Sequence, residues 1–94
     1  DLQAVERDFA FIVDNKIEAS DLVSAASGVD KQLIKDVRVF DEFVGKEFGD
    51  ERKSIALTVR LQPVEKTLTD AEIEEFSKKL IKKVEDATGG FLRT

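Results

Sequence analysis

Ser54-Ile55-Ala56-Leu57-Thr58-Val59-Arg60-Leu61-Gln62 alternates apolar side chains with polar or small ones without a break. Successive side chains of an extended chain point to opposite faces, so this pattern predicts a half-buried strand. Ile55, Leu57, Val59 and Leu61 face one way; Ser54, Ala56, Thr58, Arg60 and Gln62 face the other. Pro63 closes the strand, because proline donates nothing to a ladder. Downstream the apolar spacing changes to threes and fours. Thr69-Asp70-Ala71-Glu72 forms a capping box, with Leu68 and Ile73 placed for a hydrophobic staple across it. Ile73, Phe76, Leu80, Val84 and Ala87 continue as one helical stripe. Thr88-Gly89-Gly90 ends the helix, and Phe91-Leu92-Arg93 is left for a short edge strand.

Upstream, Arg7 to Val13 (RDFAFIV) reads as a strand rich in aromatic and β-branched residues. Phe9, Phe11 and Val13 share one face and Asp8, Ala10 and Ile12 the other. Asp14-Asn15 supplies a turn. Ala19 to Ser27 reads as a helix, with Ser20 or Asp21 near its start, Leu22, Val23 and Ala26 as its stripe, and Gly28 as its stop. Leu33 to Val44 contains a second strand, VRVFDEFV, whose register is broken. Val37 and Val39 share parity with Asp41 and Phe43, whereas Phe40 does not, so a bulge near Asp36–Val39 is expected. Gly45 through Lys53, with Gly49-Asp50, is a hairpin loop. The order is β-α-β-β-α-β. That predicts an α+β, ferredoxin-like domain over residues 1–94: a four-stranded antiparallel sheet with two helices on one face and the other face open.

The composition narrows what such a chain can do. It has 94 residues, 41% of them apolar, including seven Phe, which suffices for one core. With no Cys and no His, thiolate or imidazole zinc sites and Ser-His or Cys-His nucleophiles are excluded. No Met is present, even at position 1, so a piece of a longer protein or a processed product is expected. No apolar run reaches the roughly 18–20 residues of a membrane span, and a cytoplasmic location is the simplest expectation. The formal charge of −5 weighs against a generic nucleic-acid binder, since such proteins are usually basic.

Parity assigns the open face Ala10, Ser54, Ala56, Thr58, Asp41 and Phe43, with Phe91 or Arg93 from the last strand. Small residues beside an aromatic make a floor on which a planar base can stack, as in RRM-type modules. The same pattern also allows Phe43 to pack beneath the Gly45–Lys53 loop as ordinary core. Lys78, Lys79, Lys82 and Lys83 follow Glu74 and Glu75 at the spacing of i,i+4 ion pairs, and read as a solvated helix face before a phosphate contact. Asp41-Glu42 and Asp50-Glu51 lack the enclosed setting that catalytic carboxylates need. No phosphate loop, metal motif or nucleophile elbow occurs, so the chain alone is not expected to be an enzyme.

Five segments in order carry a resemblance. Val5-Glu6-Arg7-Asp8-Phe9-Ala10-Phe11, Val39-Phe40-Asp41-Glu42-Phe43-Val44-Gly45, Lys53-Ser54-Ile55-Ala56, Lys66-Thr67-Leu68-Thr69-Asp70 and Gly90-Phe91-Leu92-Arg93 resemble the ferredoxin-fold anticodon-binding domain at the C-terminus of bacterial phenylalanyl-tRNA synthetase beta subunits. The ending Leu92-Arg93-Thr94 suits the end of such a subunit. The resemblance implies binding of the phenylalanine tRNA anticodon stem-loop, with catalysis elsewhere in an α2β2 enzyme that contains a synthetase alpha subunit and uses ATP and Mg2+. No cofactor is implied for this chain, and no membrane. By resemblance the RNA-contacting positions are Ala10, Asp41, Phe43, Ser54 and Arg93, with Phe43 stacking on a base. Phe43 stands where the family more often has Tyr, so a hydroxyl contact is lost. Glu42 stands where an apolar residue is common, which implies a wetter strand end.

Two rival readings share the topology. One is a protein-interaction or regulatory module that uses the open face. The other is a small phosphatase of the acylphosphatase kind, for which Asp14-Asn15-Lys16-Ile17-Glu18 would have to cradle an anion.

Overall fold

A computed structural model describes residues 2–49 and 51–93. Asp50 of the hairpin loop and Thr94 of the chain ending lie outside the described residues. The elements run β1 (Val5–Asp14), α1 (Ala19–Ser27), β2 (Ile34–Val44), a 3-10 turn (Lys46–Phe48), β3 (Arg52–Leu61), α2 (Asp70–Thr88) and β4 (Phe91–Leu92). One antiparallel sheet has the order β2-β3-β1-β4, the ferredoxin-like arrangement predicted from the sequence.

Alternation along the central strands sorts the side chains. Phe9 lies opposite Leu57 and Phe11 opposite Ile55. These four are buried with Val13, Val59 and Leu61 against Leu22, Ala25 and Ala26 of α1 and Phe76, Leu80 and Val84 of α2. A fully buried aliphatic or aromatic side chain contributes about 1.5–3 kcal/mol, so this layer supplies most of the drive to fold. The α2 stripe is shorter than its spacing suggests, because Ala87 is exposed. On α1, Ala25 is buried where Val23 is only partly so.

Helix ends follow from local chemistry. Thr69 Oγ1 accepts from the Glu72 amide at 3.1 Å, and Glu72 Oε1 accepts from the Thr69 amide at 2.9 Å. This reciprocal box satisfies two amides that the helix leaves without partners. The box also holds the Glu72 carboxyl below its ordinary pKa, chiefly through the Thr69 backbone N–H. α1 spans Ala19–Ser27, the range expected from the sequence. Glu18 is the cap, and Asp21 Oδ2 accepts from its amide at 3.0 Å. At the far end of α2, Gly89 adopts φ +75° and its amide donates to Glu85 O at 2.8 Å. Glu85 Oε2 accepts from the Leu92 amide at 2.9 Å, which fastens β4 to the helix.

The broken register of β2 resolves into two shifts, one between Ile34 and Asp36 and one between Val39 and Asp41. The second lies slightly beyond the segment favoured by sequence, and Phe40 is its extra residue. Each shift changes which parity faces inward. Val37 and Val39 therefore sit opposite Val59 and Leu57 on the helix side, while Asp41 and Phe43 sit opposite Ala56 and Ser54 on the open side.

Candidate nucleic-acid interface

The open face is built as two cross-sheet rows. In the first, Phe43 lies opposite Ser54, Ser54 opposite Ile12, and Ile12 opposite Phe91. In the second, Asp41 lies opposite Ala56 and Ala56 opposite Ala10; the Arg93 amide donates to Ala10 O at 2.8 Å and completes the row. All five residues expected at the site thus gather on one face, and both alternatives for the last strand, Phe91 and Arg93, belong there.

The floor is shaped by one residue that alternation does not reveal. The 3-10 turn after β2 carries Phe48 back to the sheet, where it is buried and meets Phe43 edge-on with centroids 5.6 Å apart. Phe43 itself remains 47% exposed. The loop therefore does not absorb Phe43 into the core; it supplies Phe48 as the buried ring and leaves Phe43 as the accessible one. The Arg93 guanidinium carbon lies 4.7 Å from the Phe48 centroid, and Arg93 Nη1 reaches Ser54 Oγ at 3.4 Å. Ser54 and Ile12, in the middle of the first row, are covered as a result.

A second cationic contact mirrors the first. Arg52, two residues before Ser54 on the same face of β3, places its guanidinium carbon 5.7 Å from the Phe91 ring. Arg93 crosses over β1 from β4 toward β3, and Arg52 crosses from β3 toward β4. Phe48 and Arg52 were missed by the sequence reading. Phe48 is the lone aromatic in a run of charged and glycine residues, which is a usable signal. Arg52 shares parity with Ser54, and extending β3 by two residues exposes it.

Other candidates sort differently. Glu42, at its wetter strand end, pairs with Lys53 Nζ at 3.1 Å on the helix side of the sheet, and the Lys53 side chain is only 11% exposed. On α2 the ion pair formed is Lys82–Asp86 at 3.1 Å, rather than the Glu74–Lys78 and Glu75–Lys79 pairs that spacing favours. The Asp14–Glu18 loop has its amides engaged. Lys16 N donates to Asp14 Oδ1 at 2.8 Å, Ile17 N to Asp14 O at 3.0 Å and Asn15 N to Glu51 O at 2.8 Å. An anion has no cradle there, which removes the basis for the phosphatase reading.

Comparison with known proteins gives the family. The profile of the family described as "Ferredoxin-fold anticodon binding domain" matches residues 1–93. The chain belongs to this family. It is similar to proteins named "Phenylalanine--tRNA ligase beta subunit": 62% identical over 93 residues to that of Ruegeria pomeroyi, 59% over 97 residues to that of Cereibacter sphaeroides, and 53% over 92 residues to that of Bartonella henselae. These matches cover 99%, 99% and 98% of the chain but only 12%, 12% and 11% of the relatives. The chain therefore spans about an eighth of their length. No helix among the described residues is long and apolar enough to cross a membrane.

Proposed function

We propose that the open sheet face binds the anticodon stem-loop of phenylalanine tRNA and thereby supports ATP-dependent charging by a cytoplasmic phenylalanine–tRNA ligase. In this reading the 94 residues act as one RNA-binding unit of a beta subunit, within an α2β2 enzyme whose alpha subunit shares the catalytic work. The observation that carries it is the half-exposed Phe43 ring, braced from the side by Phe48 and bordered by Asp41 and the Ser54–Arg93 contact. A base lifted out of its stack finds a flat apolar partner in Phe43. Ala56 on the neighbouring strand leaves room, with Ala10 beyond it, and the Asp41 carboxylate, an acceptor only, favours a base edge that presents N–H donors. With no phenol on Phe43, discrimination falls to Asp41 and the Ser54–Arg93 pair.

In this reading ATP, Mg2+ and the chemistry belong to the remainder of the enzyme. A base–aromatic stack is worth about 1–3 kcal/mol, too little for tight binding by a chain of net charge −5. The rest of the synthetase supplies further tRNA contacts, which makes this a local contribution to a multivalent interaction. Steady-state charging by the whole synthetase tests the reading. Phe43→Ala raises KM for tRNA; an unchanged KM removes the role given to Phe43.

A further inference from the structure

We infer that Phe91 and Arg52 form a second base-stacking station on the same face, which takes a nucleotide not adjacent to the one on Phe43. The inference rests on the base-binding reading of the open face and extends it. Phe43 and Phe91 occupy the two ends of one cross-sheet row, Phe43–Ser54–Ile12–Phe91. Each ring is 47% exposed. An aromatic left half in water at both ends of a row, with its middle covered, is a costly arrangement for folding alone and a useful one for stacking.

Shape and charge agree. A cleft of about 340 Å³ lies between the stations, lined by Ile12, Phe48, Arg52, Phe91, Arg93 and Glu47. Arg52 lies against Phe91 at one end of the row, and Arg93 lies against Phe48 above its middle. A guanidinium beside a ring still has N–H donors to offer a phosphate or a base. Glu47 and Asp14 lie on the rim of this region and keep it from being a uniform anion trap. The match is to a strand that presents both a π-face and a phosphate, which is single-stranded RNA.

Spacing sets the register. Three inter-strand steps of about 4.8 Å separate the ends of the row by about 14 Å. Neighbouring bases in a continuous stack are only about 3.4 Å apart. Two bases held by Phe43 and Phe91 are therefore splayed and have at least one nucleotide between them, which passes over Phe48 and Arg93.

The test is charging by the whole synthetase of phenylalanine tRNA transcripts, each with one abasic nucleotide at a single anticodon-loop position. Wild type is expected to lose roughly 5- to 30-fold in kcat/KM at two non-adjacent positions, the lower half of what base–aromatic stacks supply. Phe43→Ala becomes insensitive at one of these and Phe91→Ala at the other, while Phe91→Trp retains the wild-type profile. Phe91→Leu keeps apolar bulk on β4 and repeats the Phe91→Ala profile if stacking is the cause. If the Phe91 variants match wild type while Phe43→Ala loses one position, the second station is overturned and the first stands. If Phe43→Ala also matches wild type, the base-binding reading falls and this inference falls with it.

Discussion

Arg93 lies over the ring of Phe48, with its guanidinium carbon 4.7 Å from the centroid, and the pair joins the last strand to the turn after β2. Two segments 45 positions apart in the numbering thus meet above Ser54. The contact makes the floor of the open face, because it buries Phe48 and leaves Phe43 accessible.

Phe48→Ala removes a buried ring from that floor. Burial on the open face, outside the main core cluster, puts the loss at about 3 kcal/mol, against under about 1 kcal/mol for half-exposed Phe43→Ala. Urea unfolding of the two variants checks the order. Arg93→Lys keeps the charge but loses the guanidinium contact with Phe48 and Ser54, and its RNA binding is expected to fall toward that of Arg93→Met. If Arg93 meets a phosphate, Arg93→Met also lowers the salt slope of binding by about 0.7.

The Glu42–Lys53 pair yields an asymmetric expectation. Lys53 is nearly buried and Glu42 is not. Glu42→Ala strands the ammonium and is expected to cost about 1–2 kcal/mol. Lys53→Met is expected to be close to neutral, since it removes the desolvated charge along with its partner's contact. Chemical denaturation at neutral pH compares them.

The sequence carried the fold through period and punctuation. Unbroken alternation in Ser54–Gln62 and the Thr69–Glu72 box survive as β3 and the start of α2 because burial on one face and local hydrogen bonds agree there. β2 was legible only as a conflict. The bulge at Phe40 obeys the pairing with β3, which a single strand cannot display. The five site positions fell on one face because parity, once corrected for that bulge, is a local property. Phe48 and Arg52 escaped because their roles depend on a turn folding back and on a long side chain crossing β1. Neither has a period.

The cap of α2 gives a pH expectation. The Glu72 carboxyl is held below its ordinary value by the Thr69 backbone N–H, with the Thr69 hydroxyl and Lys66 adding to it. Its contribution is present above the unfolded carboxyl pKa and is lost as pH falls through the lower folded value. Glu72→Gln should therefore flatten the acid limb of stability against pH. Thr69→Ala should cost about 1 kcal/mol at neutral pH. Thermal unfolding from pH 7 down to pH 3 separates the two.

Gly89 and Gly90 differ in why they resist substitution. A Cβ on Gly89 meets nothing within 4 Å, so Gly89→Ala costs only the left-handed backbone, about 1–2 kcal/mol. A Cβ on Gly90 falls 2.5 Å from Ile12 O and 2.6 Å from Val13 Cγ1. Gly90→Ala is expected to push β4 off β1, displace Phe91 and Arg93, and weaken RNA binding more than Gly89→Ala does.

The central claim, that Phe43 on the open face holds an anticodon base, is tested most directly by competition. An isolated phenylalanine anticodon stem-loop is used to inhibit charging of full-length tRNA by the whole synthetase, wild type or Phe43→Ala. The account predicts that Phe43→Ala weakens inhibition by roughly 5- to 30-fold, as expected for loss of about 1–2 kcal/mol of stacking. Equal inhibition of both enzymes would contradict it.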